Sequence, residues 1–265
     1  MALQPGTDAN PMTPKPEEFM ESRSRKKPAP LLIPANYAKL QSMGFSDQDF
    51  LNSTVAVKPI VQDTTRTPVV LACSLLFLLL YGVPNHFPYF EPHFLTLTAL
   101  DLRTPFIIES IWIYFSAYVM IYITCYSLRD IENVNRMIAS FITLAFTSSL
   151  IFVLYPTAYP RMDYPLPEDL SSWTVYWFSI LRKFDAPTNC APSLHVAISY
   201  LSALPFFSEG RKKTGIFFLL WTAAVWISTT TTKQHYWVDG ALGIILMSVI
   251  YFFFEKKVRW QIDAK

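Results

Sequence analysis

Charge is scarce in this chain. Only 16% of its 265 residues are Asp, Glu, Lys or Arg, against 52% in the broad hydrophobic class, whereas soluble domains carry about a quarter charged residues. That shortage argues against an ordinary water-soluble globule. The charges present crowd into the first 66 residues and into short segments between apolar runs. Cysteine is equally sparse: of three, Cys73 and Cys125 fall within apolar runs and Cys190 stands alone, so no disulfide framework is expected. The amino-terminal residues lack the apolar core of a cleavable signal, and no internal repeat is visible. With a net charge of +2, no nucleic-acid partner is expected.

What the chain does contain is apolar runs. A membrane-crossing helix needs roughly 20 predominantly apolar residues, and six segments approach or meet this: 68–83, 105–124, 137–154, 191–207, 215–228 and 236–254. They lack the polar face of a soluble amphipathic helix. The expected fold is therefore all-α, a polytopic six-helix membrane bundle over residues 67–256, between a polar and basic tail (1–66) and a short tail (257–265). The bilayer is its first partner.

Lys and Arg are distributed unequally between alternate connections. With the amino terminus inside, 17 of the 22 fall on the inner side and 5 on the outer, which the positive-inside bias reads as both termini cytoplasmic. The outer connections include a helical pattern of Trp173, Tyr176, Trp177, Ile180, Leu181 and Phe184, suited to a helix lying in the outer interface.

All four histidines, His86, His93, His195 and His235, map to the outer half. Ionisable groups at membrane depth tend to mark function. His195 closes the run Asn189-Cys190-Ala191-Pro192-Ser193-Leu194-His195, where a proline-opened helix leaves amides free to bind phosphate and Ser193 adds a hydroxyl. His235 and Asp239 are four apart, which places them on one helix face and lets the carboxylate orient an imidazole nucleophile. Lys233 lies two residues upstream. His86 and His93 lack the spacing of ligands on one helix turn, and Cys190, a lone thiol, reads as packing; no metal site is expected. Asp101 and Arg103 read as a structural pair.

Pro192-Ser193-Leu194-His195 resembles the second motif of the type 2 phosphatidic acid phosphatase superfamily, usually Pro-Ser-Gly-His, and His235-x-x-x-Asp239 resembles its third. The resemblance spans roughly residues 101–254 and points to the branch with inositol phosphorylceramide synthases. The first motif is matched loosely by Tyr155-Pro156-Thr157-Ala158-Tyr159-Pro160-Arg161. Leu194 replaces the usual glycine, and Thr229 stands where the third motif usually has arginine.

The resemblance implies a membrane-surface site acting on a lipid phosphate or phospholipid. His235 is the implied nucleophile, Asp239 its orienting partner, and His195 the general acid and then base. Lys233, Arg161 and Ser193 are the expected phosphate ligands. No cofactor and no metal is implied, and the acceptor is water or an alcohol, giving hydrolysis or headgroup transfer. A reading from another class is a proton-coupled transporter. It predicts polar groups deep along several spans, whereas the histidines here gather near one surface.

Overall fold

The computed structural model describes residues 54–168 and 172–262. The expected amino-terminal tail up to residue 53, its basic run at 23–27 included, lies outside the described residues, as do residues 263–265. Residues 54–66 differ from a free tail. Strand β1 (Val55–Val57) pairs in parallel with β4 (Val258–Trp260), directly after the last helix. Asn135 then accepts the amides of Ile60 at 2.6 Å and Val61 at 2.8 Å through its side chain.

The rest is helical: α1 (Arg66–His86), α2 (Ala99–Arg103), α3 (Ile111–Ser127), α4 (Ile131–Leu154), α5 (Trp173–Phe184), α6 (Leu194–Leu201), α7 (Leu204–Ser208), α8 (Lys212–Thr231) and α9 (Trp237–Lys257). A short parallel pair, β2 (His93–Phe94) with β3 (Thr157–Ala158), joins two connections at the end where α1 finishes. The chain is an all-α polytopic membrane protein. Among the described residues five helices are long and apolar enough to cross a bilayer, and their outward faces display rows such as Leu75, Leu78 and Leu79 on α1 or Ile245, Val249 and Phe253 on α9. In water such surfaces would drive association; in lipid they are solvated.

The expected fourth span differs from the other five. It is a shorter apolar stretch, Leu194–Ser208, and at about 1.5 Å per residue it reaches only about 22 Å. Pro205 supplies no amide to continue the helical ladder, so the stretch breaks into α6 and α7 around Ser202 and Ala203. A short helix is tolerated because α6 is central. It packs on α3, α4, α8 and α9, and every residue of it but Tyr200 is buried, so its backbone ends meet protein rather than hydrocarbon.

Helix α4 begins six residues before the apolar run that predicts it. Its polar first turns are partnered: Asp130 caps the Glu132 amide at 3.0 Å, Arg136 bonds Asn133 and Glu132, and Asn135 holds the Val61 segment. Helix α5 forms over the expected residues. It buries Val175, Phe178 and Leu181 and leaves Trp173, Tyr176 and Phe184 exposed, an apolar belt suited to an interface.

Candidate active site

At the carboxyl end of α8 the chain turns without unwinding. The Thr229 carbonyl accepts the amides of both Gln234 (3.1 Å) and His235 (3.2 Å), while Lys233 adopts φ 55°, uncommon for a non-glycine residue. Helix α9 then starts after Tyr236, whose amide donates to Asp239 Oδ2 at 2.9 Å. The same oxygen lies 3.3 Å from Nδ1 of His235, and the Cys190 carbonyl lies 2.9 Å from that nitrogen. A carbonyl and a carboxylate only accept, so Nδ1 carries the proton and Nε2 the lone pair. His235 is thereby held in the tautomer with Nε2 unprotonated, at 5% exposure, with Asp239 at 0%.

The tip of α6 is tied to α9. Ser193 donates its amide to the Asp239 carbonyl at 2.9 Å, an approach that Gly243 permits, since a Cβ there would lie 2.6 Å from the Ser193 carbonyl oxygen. The rings of His195 and His235 consequently stand 5.6 Å apart, tilted 60°. Two separated motifs thus meet at one end of the bundle, opposite the end that carries β1 and β4. Ser193 Oγ is buried there with no hydrogen-bond partner among the described residues, at the start of a helix whose first amides precede any intrahelical bond.

Both nitrogens of His195 face tyrosines of α3: Tyr114 Oη is 3.4 Å from Nδ1 and Tyr118 Oη 2.9 Å from Nε2. Tyr114 also donates to Asp185 Oδ2 at 3.4 Å, and Tyr81 donates to Asp185 Oδ1. Arg161 completes this group. It is 8% exposed, donates to the Asp185 carbonyl, and sets its guanidinium 3.5 Å from the Asp185 carboxylate, while its Nε has no partner among the described residues.

Arg182, near the end of α5, packs over the rings of Phe178 (5.1 Å) and Phe106 (5.7 Å). Its Nε and one terminal nitrogen are buried with no partner among the described residues. Burial, and then the charge of Arg161, pull its pKa down to about 10.

Lys233 is placed otherwise. At 1% exposure, its ammonium donates to the carbonyls of Asp101 (3.1 Å) and Thr104 and lies 4.9 Å from the Tyr164 ring centre. Two of its three donors are committed to holding a loop, and this explains why a lysine accepts the left-handed backbone. Asp101 likewise bonds the amides of Thr98 and Trp237 instead of Arg103. Thr229, in the position where the third motif usually has arginine, is wholly buried and bonds its own helix at the Trp226 carbonyl. His86 is exposed and bonds the Gly82 carbonyl, and His93 stacks on Tyr155; neither joins the site.

Cys190 Sγ, a ring nitrogen of His235 and an Asp239 oxygen lie within 4.8 Å of one another, close enough to surround a cation. Burial, reinforced by Asp239, pushes the thiol well above its usual pKa and keeps it protonated. The Nδ1 proton of His235 already serves the other two residues. The donor set suits hydrogen bonding within the chain better than metal ligation.

A cavity of about 150 Å³ opens beside His195 between α1, α3, α4 and α6. Apart from Ser74, His195 and three tyrosine hydroxyls its wall is hydrocarbon and aromatic, including Phe77, Leu78, Ile121, Phe141 and Ile198.

The family profile described as the PAP2 superfamily matches residues 86–253. The chain belongs to the PAP2 superfamily. No curated protein and no solved structure matches it significantly. Membership makes this an enzyme of phosphatase type, and His195, His235, Asp239, Arg161 and Ser193 all lie inside the matched segment. In this PAP2 member the candidate site also contains groups that the motifs did not announce: Tyr114, Tyr118, Asp185, Tyr81 and the Cys190 carbonyl. One local signal for them existed, two tyrosines four residues apart in an apolar span, which share a helix face.

Proposed function

We propose that this protein is an integral membrane lipid phosphatase or phosphotransferase working through a phosphohistidine on His235. The observation that carries the reading is the tautomer of His235: Nδ1 is shared between the Cys190 carbonyl and Asp239, and Nε2 is left to attack phosphorus beside the His195 ring. Nε2 displaces the leaving oxygen, which receives a proton from the His195 side. In the second half-reaction the same groups deprotonate water or an alcohol that attacks the phosphohistidine. Arg161, Arg182, the Ser193 hydroxyl and the amides at the tip of α6 stabilise charge on the equatorial oxygens. The side chains in reach supply every proton and charge the displacement needs, so the reaction proceeds without a metal ion.

The apolar cavity at His195 favours an amphiphile over a soluble ester, because it offers an acyl chain a dry path to the phosphate site. The Lys and Arg distribution supports cytoplasmic termini and a site on the outer face. Headgroup transfer of the inositol phosphorylceramide synthase type uses the same covalent step and differs only in the acceptor.

The test is radiolabelled phosphate transfer from a phosphatidic acid probe to purified protein in chelator. An acid-labile, base-stable label that is present in wild type and absent in His235→Ala is expected. Equal labelling of His235→Ala, or turnover abolished by the chelator, overturns the reading, and proton-coupled solute flux without any turnover favours a transporter.

A further inference from the structure

The site holds one arrangement that a two-histidine mechanism leaves unexplained: neither ring nitrogen of His195 is free. Tyr118 Oη takes Nε2 at 2.9 Å, with its ring edge-on to the imidazole (5.3 Å, 74°). Tyr114, one helical turn earlier on α3, takes Nδ1 and leads on to Asp185. Any substrate oxygen that exchanges a proton with His195 must therefore displace a tyrosine or use one.

We propose that Tyr118 is a catalytic residue, its hydroxyl carrying the proton between His195 Nε2 and the substrate oxygen, with Tyr114 and Asp185 as positioning residues on the far side of the ring. The proposal rests on the phosphohistidine reading of the same site.

The hydrogen bonds have the direction this needs. Tyr114 donates to the Asp185 carboxylate, so its oxygen accepts from Nδ1–H of His195. That leaves Nε2 as the nitrogen whose proton comes and goes, and it faces Tyr118. Tyr118 and His195 both line the apolar cavity, so a lipid phosphate drawn along it reaches the tyrosine hydroxyl at the wall. Asp185, charge-balanced by Arg161 at 3.5 Å, supports the imidazolium through Tyr114 without touching it.

In the first half-reaction the His235 Nε2–phosphorus bond forms as the phosphorus–oxygen bond breaks. The electron pair goes to the leaving oxygen, which takes the Tyr118 hydroxyl proton; Tyr118 recovers one from Nε2 of the His195 imidazolium, leaving His195 neutral. In the second, the acceptor oxygen bonds phosphorus and its proton passes to Tyr118, whose own passes to His195. The phosphorus–nitrogen pair then returns to His235, restoring both residues.

The test is Tyr118→Phe, which keeps the ring and removes the hydroxyl, assayed with a phosphatidic acid probe in detergent. A fall in kcat of about 10²-fold is expected, the usual worth of a general acid–base contribution, with KM and Tm near wild type. In a His195→Ala background the same change should add nothing, because the two groups act as a unit. Wild-type turnover by Tyr118→Phe, or losses that multiply in the double variant, overturns the relay. Tyr114→Phe gives an independent reading should Tyr118→Phe fail to fold: a fall smaller than the ~10²-fold of a direct acid–base group, one that Asp185→Asn does not deepen, is expected, and unchanged kcat overturns the positioning arm. Wild-type protein that takes no phosphate label fails the phosphohistidine reading itself, and the relay falls with it.

Discussion

The backbone carbonyl of Cys190 lies 2.9 Å from Nδ1 of His235, nearer than the Asp239 carboxylate at 3.3 Å. A main-chain atom thus shares the work of fixing the tautomer. Replacing Asp239 by Asn should lower kcat by about 10²-fold, short of the ~10⁴-fold that follows when an imidazole is released into the wrong tautomer. Rates measured beside His235→Ala check this. An Asp239→Asn enzyme as inactive as His235→Ala would show that the carbonyl alone does not hold the ring.

The thiol of the same residue has no such duty. Sγ makes long contacts to the Pro187 and Gln234 carbonyls (3.4 and 3.7 Å), and burial holds its pKa well above the ordinary value. Because the thiolate is the reactive form, and a raised pKa means that it forms only at pH well above the ordinary value, Cys190 should resist maleimide at pH 7 and also at pH 8.5, where a free thiol of pKa about 8.5 is about half ionised. It should label readily once the chain is denatured. Peptide-resolved mass spectrometry reads both states. Cys190→Ala should keep activity within a few-fold, since the carbonyl survives; a deep loss would assign the thiol a role in the chemistry.

Much of the site was legible because its signals are local. His235 and Asp239 meet across one helical turn, and Pro192 to His195 form one helix tip, so spacing alone places them. Tyr114, Tyr118 and Asp185 reach His195 through contacts between residues 71 to 81 positions apart, and no local period encodes those. Lys233 illustrates the opposite case. Its spacing from His235 suggested a phosphate ligand, but a flexible stem allows its ammonium to turn to the Asp101 and Thr104 carbonyls. The short fourth span was hidden for a related reason: hydropathy measures apolarity, and it does not register that α6 is enclosed by other helices and need not meet lipid.

Lys233 and Arg182 should respond in opposite ways to neutralisation. Lys233→Met leaves the Asp101 and Thr104 carbonyls unpaired, at a cost of about 1–3 kcal/mol, so Tm should drop clearly. Among the described residues Arg182 has two buried nitrogens without a partner and no carboxylate bonded to it, so Arg182→Gln should leave Tm near wild type and raise KM for a lipid phosphate about 10-fold, as expected for one charge-assisted hydrogen bond. Thermal melts and steady-state kinetics on the two variants separate the roles. A destabilised Arg182→Gln with wild-type KM would make that arginine structural.

Gly243 sets how closely α9 approaches the tip of α6. A Cβ at this position would lie 2.6 Å from the Ser193 carbonyl oxygen, and that atom belongs to rigid backbone, so the helices must separate to admit it. Overpacking of this kind costs about 1–3 kcal/mol. The displaced element carries Ser193 and His195, and misplacing a catalytic group by about 1 Å costs on the order of 10²-fold in rate. Gly243→Ala is therefore expected to lose both Tm and kcat, although it removes no side chain from the chemistry. Gly82 provides the control, because an added Cβ there meets nothing within 4 Å and alanine is the better helix former; Gly82→Ala should retain activity and gain slightly in Tm. Should Gly243→Ala turn over at the wild-type rate, the contact between α9 and the tip of α6 would not be what sets the distance between the two histidines.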